Sequence, residues 1–177
     1  MTDLFHAQST LTTVGNLLLV GPQENDTSNP NFAEGNISLE TLRESFYNHF
    51  CFPFSPDYVP VHCHVLYRLC EDPNASTQID YEAAQGTQEV FERRNFDWRS
   101  LLSTQPTVGG QRCADHIGVV FLYLSHLLEK GDFETFVESA PLLRDISLKL
   151  AELVAAKEDP YAKHVYHWLS VVNTQVL

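Results

Sequence analysis

Apolar residues recur at helical spacing in the second half of the chain, most clearly within residues 115–130. The positions that share one face there are Ile117, Val120, Phe121, Leu124, Leu127 and Leu128. Gly131 follows them, where a residue of left-handed conformation commonly ends a helix. No alternating pattern of apolar and polar residues competes with this spacing elsewhere in the chain. The sequence therefore predicts an all-α protein.

The same spacing, together with capping residues, predicts helices on both sides of this segment. Ser38 and Asp132 are expected N-caps, Asp159-Pro160 is expected to open the last helix, and a break is expected near Pro141. The other predicted helices cover 4–20, 38–50, 61–70, 78–94, a short stretch after Asp97, and 132–154 around the break. Short connections favour antiparallel neighbours, so we expect a bundle of about six to eight helices.

Two segments are expected to lack regular structure. Residues 51–60, the proline-aromatic loop, contain three prolines among several aromatic side chains, and proline disrupts both helix and strand. Residues 104–113 contain a proline and a Gly-Gly pair, which predicts a hinge. We therefore divide the chain into an N-terminal half (1–103) that carries the loop, the hinge (104–113) and a C-terminal half (114–177), together forming one compact domain.

Charge narrows the class of partner. The 177 residues include 11 basic and 23 acidic side chains, for a net charge of -12. Such a chain repels nucleic acid and anionic lipid and attracts basic peptides. The sequence has no membrane-spanning apolar run and no secretory signal, so we expect a cytoplasmic protein without stable membrane insertion, whose four cysteines stay reduced.

Motifs typical of catalysis are absent from the sequence, which indicates a binding protein rather than an enzyme, with no cofactor of its own. The alternative is a metal-binding protein, enzyme or sensor, that uses His62, Cys63 and His64, since histidine and cysteine are good zinc and copper ligands. Two interpretations of Asp115-His116 stay open. Asp115 caps the helix that follows it, or the pair anchors a basic partner at a cleft beside the Gly-Gly hinge.

Several segments resemble the TorD/DmsD/NarJ family of maturation chaperones for molybdenum-containing redox enzymes. The segment Cys113-Ala-Asp115-His116 and the apolar helix after it are similar to the family motif P-x-D-H, with Cys113 in place of the usual proline. The layout of residues 47–65 and of the last helix from Asp159 is also similar. The resemblance covers roughly residues 38–172 and is most specific at Asp115-His116.

The resemblance implies a TorD-like helical fold and a chaperone function. Such a protein binds the N-terminal leader or twin-arginine signal peptide of a molybdopterin oxidoreductase and holds the apo-form of that subunit until its cofactor is inserted. By the resemblance, Asp115 and His116 help to form the leader-binding site. The residues expected to line a groove beside them are Phe52, Pro53, Phe54, Tyr58, Pro60 and His62. Formation of a homodimer, by exchange of halves at the hinge, is a further expectation.

Overall fold

The computed structural model describes residues 3–24, 37–102 and 113–177, and within these ranges the protein is all-helical. A π-helical turn, Tyr47–Cys51, extends the second helix. The helices are α1 (Leu4–Leu19), α2 (Leu39–Phe46), α3 (Cys63–Glu71), α4 (Gln85–Arg93), α5 (Trp98–Leu102), α6 (Ile117–Lys130), α7 (Phe133–Ala155) and α8 (Pro160–Gln175). These ranges contain no strand, and none of their helices has the length and apolar character needed to cross a membrane. The expected bundle of six to eight helices is confirmed.

Helix α6 is the central element of the core. Its buried face includes Phe121, Leu124 and Leu127, and it packs against α1, α5 and α7. The closest approach is to α1, where Gly15 and Gly118 face each other. A Cβ atom on Gly118 would lie 2.7 Å from Cγ of Leu19 and 3.0 Å from the carbonyl oxygen of Gly15. The absence of side chains at these two positions lets the helix backbones come together.

Helix α8 closes the bundle against α1, α2 and α7. Tyr161 is fully buried at its start, and its hydroxyl donates a hydrogen bond to the carbonyl of Leu17 at the end of α1 (2.5 Å). The same ring packs against Phe46 and Phe50, with centroid separations of 5.9 and 6.2 Å. The hydroxyl is therefore satisfied inside an apolar aromatic cluster, as a buried tyrosine requires.

The predicted helix boundaries are confirmed where a capping residue marks them. Ser38 accepts a hydrogen bond from the N–H of Thr41, and Asp132 accepts one from the N–H of Thr135. Asp159 accepts one from the N–H of Ala162, directly before Pro160. Gly131 ends α6 in the left-handed conformation, with φ of 76°.

The predicted break near Pro141 is wrong, because α7 runs through this residue without interruption. Proline removes the hydrogen bond to the carbonyl of Val137, but both residues are exposed, so water can satisfy that carbonyl. The helix predicted over 78–94 begins only at Gln85, after a turn. Most of the predicted hinge, residues 104–112, lies outside the described residues, so the division into halves and exchange at the hinge stay predictions.

Replacement of Gly118 by alanine is expected to destabilise the protein. The added methyl group meets the buried Leu19 and the backbone of α1, so we expect a loss of about 1–3 kcal/mol in the free energy of unfolding, measured by urea denaturation. Gly86→Ala is the matched control. Gly86 is also helical, but a methyl group added there would meet no neighbouring group within 4 Å, so the change should be neutral or slightly stabilising. Equal losses in both variants would contradict the close α1–α6 contact.

Candidate functional site around Asp115

Two short segments, distant in the sequence, lie side by side immediately before α3 and α6. The N–H of Cys63 donates to the carbonyl of Asp115 (2.9 Å), and the N–H of Ile117 donates to the carbonyl of Val61 (2.7 Å). The result is an isolated antiparallel bridge between His62 and His116. This bridge fixes the starts of the two helices against each other and brings together the side chains of His62, His64, Cys113, Asp115 and His116, which we call the Asp115 cluster.

The carboxylate of Asp115 is the centre of the cluster and is only 2% exposed. Its Oδ2 accepts hydrogen bonds from the backbone N–H of His64 (2.9 Å) and from ring Nδ1 of His64 (2.5 Å), and its Oδ1 accepts one from the thiol of Cys113 (2.9 Å). Because Nε2 of His64 accepts from the N–H of Asp80 (2.8 Å), the ring carries its proton on Nδ1. Burial alone would raise the pKa of Asp115, but these hydrogen bonds lower it to about 2.

Asp115 is a capping residue, but of a different helix from the one expected. Its side chain binds the N–H of His64 in the first turn of α3, whereas the cap of α6 is His116. Nδ1 of His116 accepts a hydrogen bond from the N–H of Gly118 (3.0 Å). The interpretation of Asp115 as the cap of the helix after it is therefore wrong. The local pattern did identify a capping residue, but the tertiary pairing redirects its side chain.

The imidazoles of His62 and His116 lie against each other, with ring centroids 5.6 Å apart. Burial lowers the pKa of His62 to about 4 and that of His116 to about 3, so both rings are neutral near pH 7. Nδ1 of His62 is buried without a hydrogen-bond partner. An unsatisfied buried nitrogen of this kind is uncommon and requires an explanation.

The possible metal ligands that the structure brings together are not the three consecutive residues His62, Cys63 and His64. Ligand atoms of His62, Cys113 and Asp115 all lie within 4.8 Å of one another. Within the described ranges, no other group of three or more His, Cys, Asp or Glu side chains is arranged so that it could hold a metal ion. Cys63 lies outside this group, and both ring nitrogens of His64 are engaged by Asp115 and Asp80. A metal site on His62-Cys63-His64 therefore has no support from the geometry.

The proline-aromatic loop has one anchored end and one exposed tip. The rings of Tyr47 and Phe52 stack at 5.5 Å, Phe52 contacts Phe54 at 5.7 Å, and Phe54 is 75% exposed. Pro53 is exposed as well, whereas Pro60 is buried and Tyr58 is partly buried, with its pKa raised by burial. The residues expected to line one groove are thus divided between an exposed aromatic surface and the protein interior.

The loop is held in place by a histidine-aspartate pair that no motif in the sequence indicates. Nδ1 of the buried His49 donates to the carbonyl of Asp57 (2.9 Å), and its Nε2 donates to Oδ2 of Asp159. Both ring nitrogens therefore carry protons, and the hydrogen bond to Asp159 raises the pKa of His49. Burial alone would raise the pKa of Asp159, but His49 and Ser45 lower it. The partners are 110 positions apart in the sequence, which conceals this pair from any local pattern.

An open apolar groove of about 410 Å³ lies on one side of the cluster. We call it the α4–α7 groove, and Cys63 at the start of α3 contributes to its wall. The other lining residues are Thr87, Val90 and Phe91 of α4, Val120, Tyr123 and Leu124 of α6, and Glu138, Ser139, Leu142, Leu143 and Ile146 of α7. The adjacent leucines Leu142 and Leu143 indicate this groove in the sequence, because together they make the apolar face of α7 wider than packing against a single helix requires.

Asp115→Ala is expected to lower the free energy of unfolding by about 3 kcal/mol or more, because it leaves buried polar groups of His64 and Cys113 without their acceptor. The control is Asp97→Ala, which also removes a side chain that caps a helix start, but at an exposed position. We expect a much smaller loss there, measured by urea denaturation. If Asp115→Ala lowered the free energy of unfolding as little as Asp97→Ala, the Asp115 cluster would contribute little to stability.

The pH dependence of stability should have a maximum near neutral pH. Below about pH 6.5, His62 and His116 bind protons in the unfolded chain, whereas in the folded chain they bind protons only at about pH 3–4. The free energy of unfolding therefore falls as pH decreases. His49 acts in the opposite direction. Its raised pKa means that the folded chain holds the extra proton, so this contribution is lost as pH rises through the folded value.

His116→Asn tests this assignment, because asparagine can still accept the hydrogen bond from Gly118 but does not titrate. Urea unfolding between pH 4 and 8 should show an acid slope reduced by up to about 1.4 kcal/mol per pH unit. His49→Gln should alter the alkaline limb, and it should also change the lowest part of the acid limb, because His49 lowers the pKa of Asp159. An unaltered acid slope in His116→Asn would contradict a neutral buried ring.

Comparison of the chain with protein-family models, with curated proteins and with solved structures found no match.

Proposed function

We propose that this chain is a cytoplasmic chaperone, and not an enzyme, that binds the leader or twin-arginine signal peptide of a molybdopterin oxidoreductase and assists maturation of the apo-form. The resemblance of residues 113–128 to the family motif supports the choice of partner. The observation that carries the proposal is the α4–α7 groove, because a binding protein of this class needs an accessible apolar surface for the hydrophobic part of the leader.

The groove suits an apolar segment of a peptide in size and in composition. Its volume of about 410 Å³ falls within the ~300–1,000 Å³ range of small-molecule pockets, so it has room for a few apolar side chains of a peptide. Leu142 is 55% exposed on its α7 wall, and Val90 and Val120 are partly exposed opposite. Burial of these side chains by a partner would remove apolar surface from water, which is the main driving force of such association.

Charge favours a leader that carries arginines. The net charge of -12 attracts a cationic peptide over long range, and Glu138 in the groove wall offers a local carboxylate. Arg93 and Arg94 line a neighbouring cavity, and Arg94 is paired with Asp132. Arg94 also interacts with the charge of Glu138, so an arginine of a bound leader at this end of the groove would share that carboxylate with Arg94.

The Asp115 cluster has a supporting role in this proposal rather than direct contact with the leader. Asp115 and His116 are 2% and 1% exposed, so a peptide cannot reach them without local opening. Asp115 caps α3 and binds the N–H of Cys63, which lines the groove. We propose that it positions this wall. Phe54 at the exposed loop tip offers a second apolar contact surface for the partner.

Leu142→Glu should weaken peptide binding at least about tenfold, because it places a charge in the apolar groove. The probe is a fluorescein-labelled synthetic peptide with two consecutive arginines followed by an apolar segment, and the readout is fluorescence anisotropy. Leu148→Glu is the matched control, since Leu148 is a similarly exposed leucine of α7 (46% against 55%) that does not line the groove.

We expect wild type and Leu148→Glu to bind the probe alike, and all affinities to fall as salt screens the charges. Equal binding by both glutamate variants would remove the groove from the site. Absence of binding to wild type at high micromolar protein would count against a leader peptide as the ligand.

A further inference from the structure

We propose that His62, Cys113 and Asp115 form a binding site for one divalent transition-metal ion of the zinc type. This inference is independent of the proposed peptide-binding function. The three side chains bring together different donor atoms, an imidazole nitrogen, a sulfur and a carboxylate oxygen, all within 4.8 Å of one another. Nitrogen and sulfur donors favour Zn²⁺ over Mg²⁺ or Ca²⁺, which prefer oxygen alone.

The backbone holds these donors in place before any ion binds. His62 has an extended conformation directly before α3, and Asp115 lies in the turn before α6. The hydrogen bonds on either side of the His62–His116 bridge join the two segments. Ligands on two segments fixed in this way lose little conformational entropy when they bind an ion.

The distances are compatible with a tetrahedral centre. Bond lengths of about 2.0–2.3 Å to zinc place neighbouring ligand atoms roughly 3.5 Å apart. Sγ of Cys113 and Oδ1 of Asp115 are now 2.9 Å apart because the thiol donates a hydrogen bond to the carboxylate. When the ion replaces that proton, which leaves to solvent, sulfur and oxygen must move apart by about 0.6 Å for both to bind the metal.

The unsatisfied nitrogen of His62 is the second, independent observation. Its Nδ1 is buried without a hydrogen-bond partner, although hydrogen bonds satisfy the carboxylate of Asp115 and the thiol of Cys113. A metal ion bound at Nδ1 would give this nitrogen the partner that it lacks. Neutral imidazole is also the form that binds metal.

Charge and the surrounding groups fit the same ion. A thiolate and a carboxylate together neutralise a divalent cation, so the occupied site would bury no net charge. His64 donates Nδ1–H to Oδ2 of Asp115 and is itself fixed by the N–H of Asp80. Such a hydrogen bond orients a ligating carboxylate. Three protein ligands leave the fourth position of a tetrahedral zinc ion to water or another ligand.

Titration of the reduced, tag-free full chain with Co²⁺, a spectroscopic substitute for Zn²⁺, tests the site in the absence of any peptide. We expect one equivalent to bind with the visible absorption of four-coordinate Co²⁺ and a thiolate-to-metal charge-transfer band, and Zn²⁺ to displace it. Cys113→Ser should abolish the charge-transfer band and weaken binding at least about tenfold. His62→Gln should weaken binding but keep the band.

Two matched controls locate the thiolate. Cys63→Ser and Cys70→Ser change cysteines outside the group and should leave the spectrum and affinity unchanged. Loss of the band in Cys63→Ser would assign the metal to the His62-Cys63-His64 triplet and overturn the proposal, as would wild-type binding in Cys113→Ser or no binding at all. Circular dichroism checks folding, and if Cys113→Ser is unfolded, His62→Gln decides. Zn²⁺ should raise the unfolding midpoint of wild type but not of His62→Gln at the same concentration.

Discussion

The arrangement of the site depends on the hydrogen bonds of the buried Asp115 carboxylate. A charge removed from water in this way is costly unless hydrogen bonds compensate for it, and Asp115 receives three, from two groups of His64 and from Cys113. These contacts join the turn before α6 to the first turn of α3. The backbone bridge beside them adds two hydrogen bonds in the same place. Polar groups therefore help to set the position of α3 relative to the central helix, in addition to the apolar packing of α3 against α7.

This arrangement changes how the Asp-His pair relates to a partner. An aspartate at the start of a helix near a groove suggests a direct anchor for an arginine, but here the carboxylate faces inward and already has its partners. The α4–α7 groove lies beside the Asp115 cluster, and Cys63 lines it together with apolar side chains of α4, α6 and α7. A motif of this kind can thus be required for binding without contact with the ligand, because it fixes the wall that the ligand meets.

Local rules predicted the helices well, because spacing and caps depend on neighbouring residues. Ser38, Asp132, Asp159 and Gly131 all mark the boundaries expected of them. The site was less accessible to such reasoning. The helix that Asp115 caps begins about fifty residues earlier, and His49 meets Asp159 only through the fold. Likewise, local sequence rules predict that Pro141 interrupts a helix, but α7 continues through it, because Pro141 lies on the exposed side of this long helix.

The two proposed ligands would meet through one pair of residues. Cys63 contributes to the groove wall, and its N–H is bound to the carbonyl of Asp115, whose carboxylate belongs to the proposed metal site. An ion on Asp115 would cross-link the starts of α3 and α6 and so reduce the freedom of that wall. If a rigid wall favours the bound peptide, the metal raises peptide affinity, and thermodynamic linkage then requires the peptide to raise metal affinity by the same factor. Equal affinities with and without the ion would instead mean that α3 is already fixed by the hydrogen bonds of Asp115 alone.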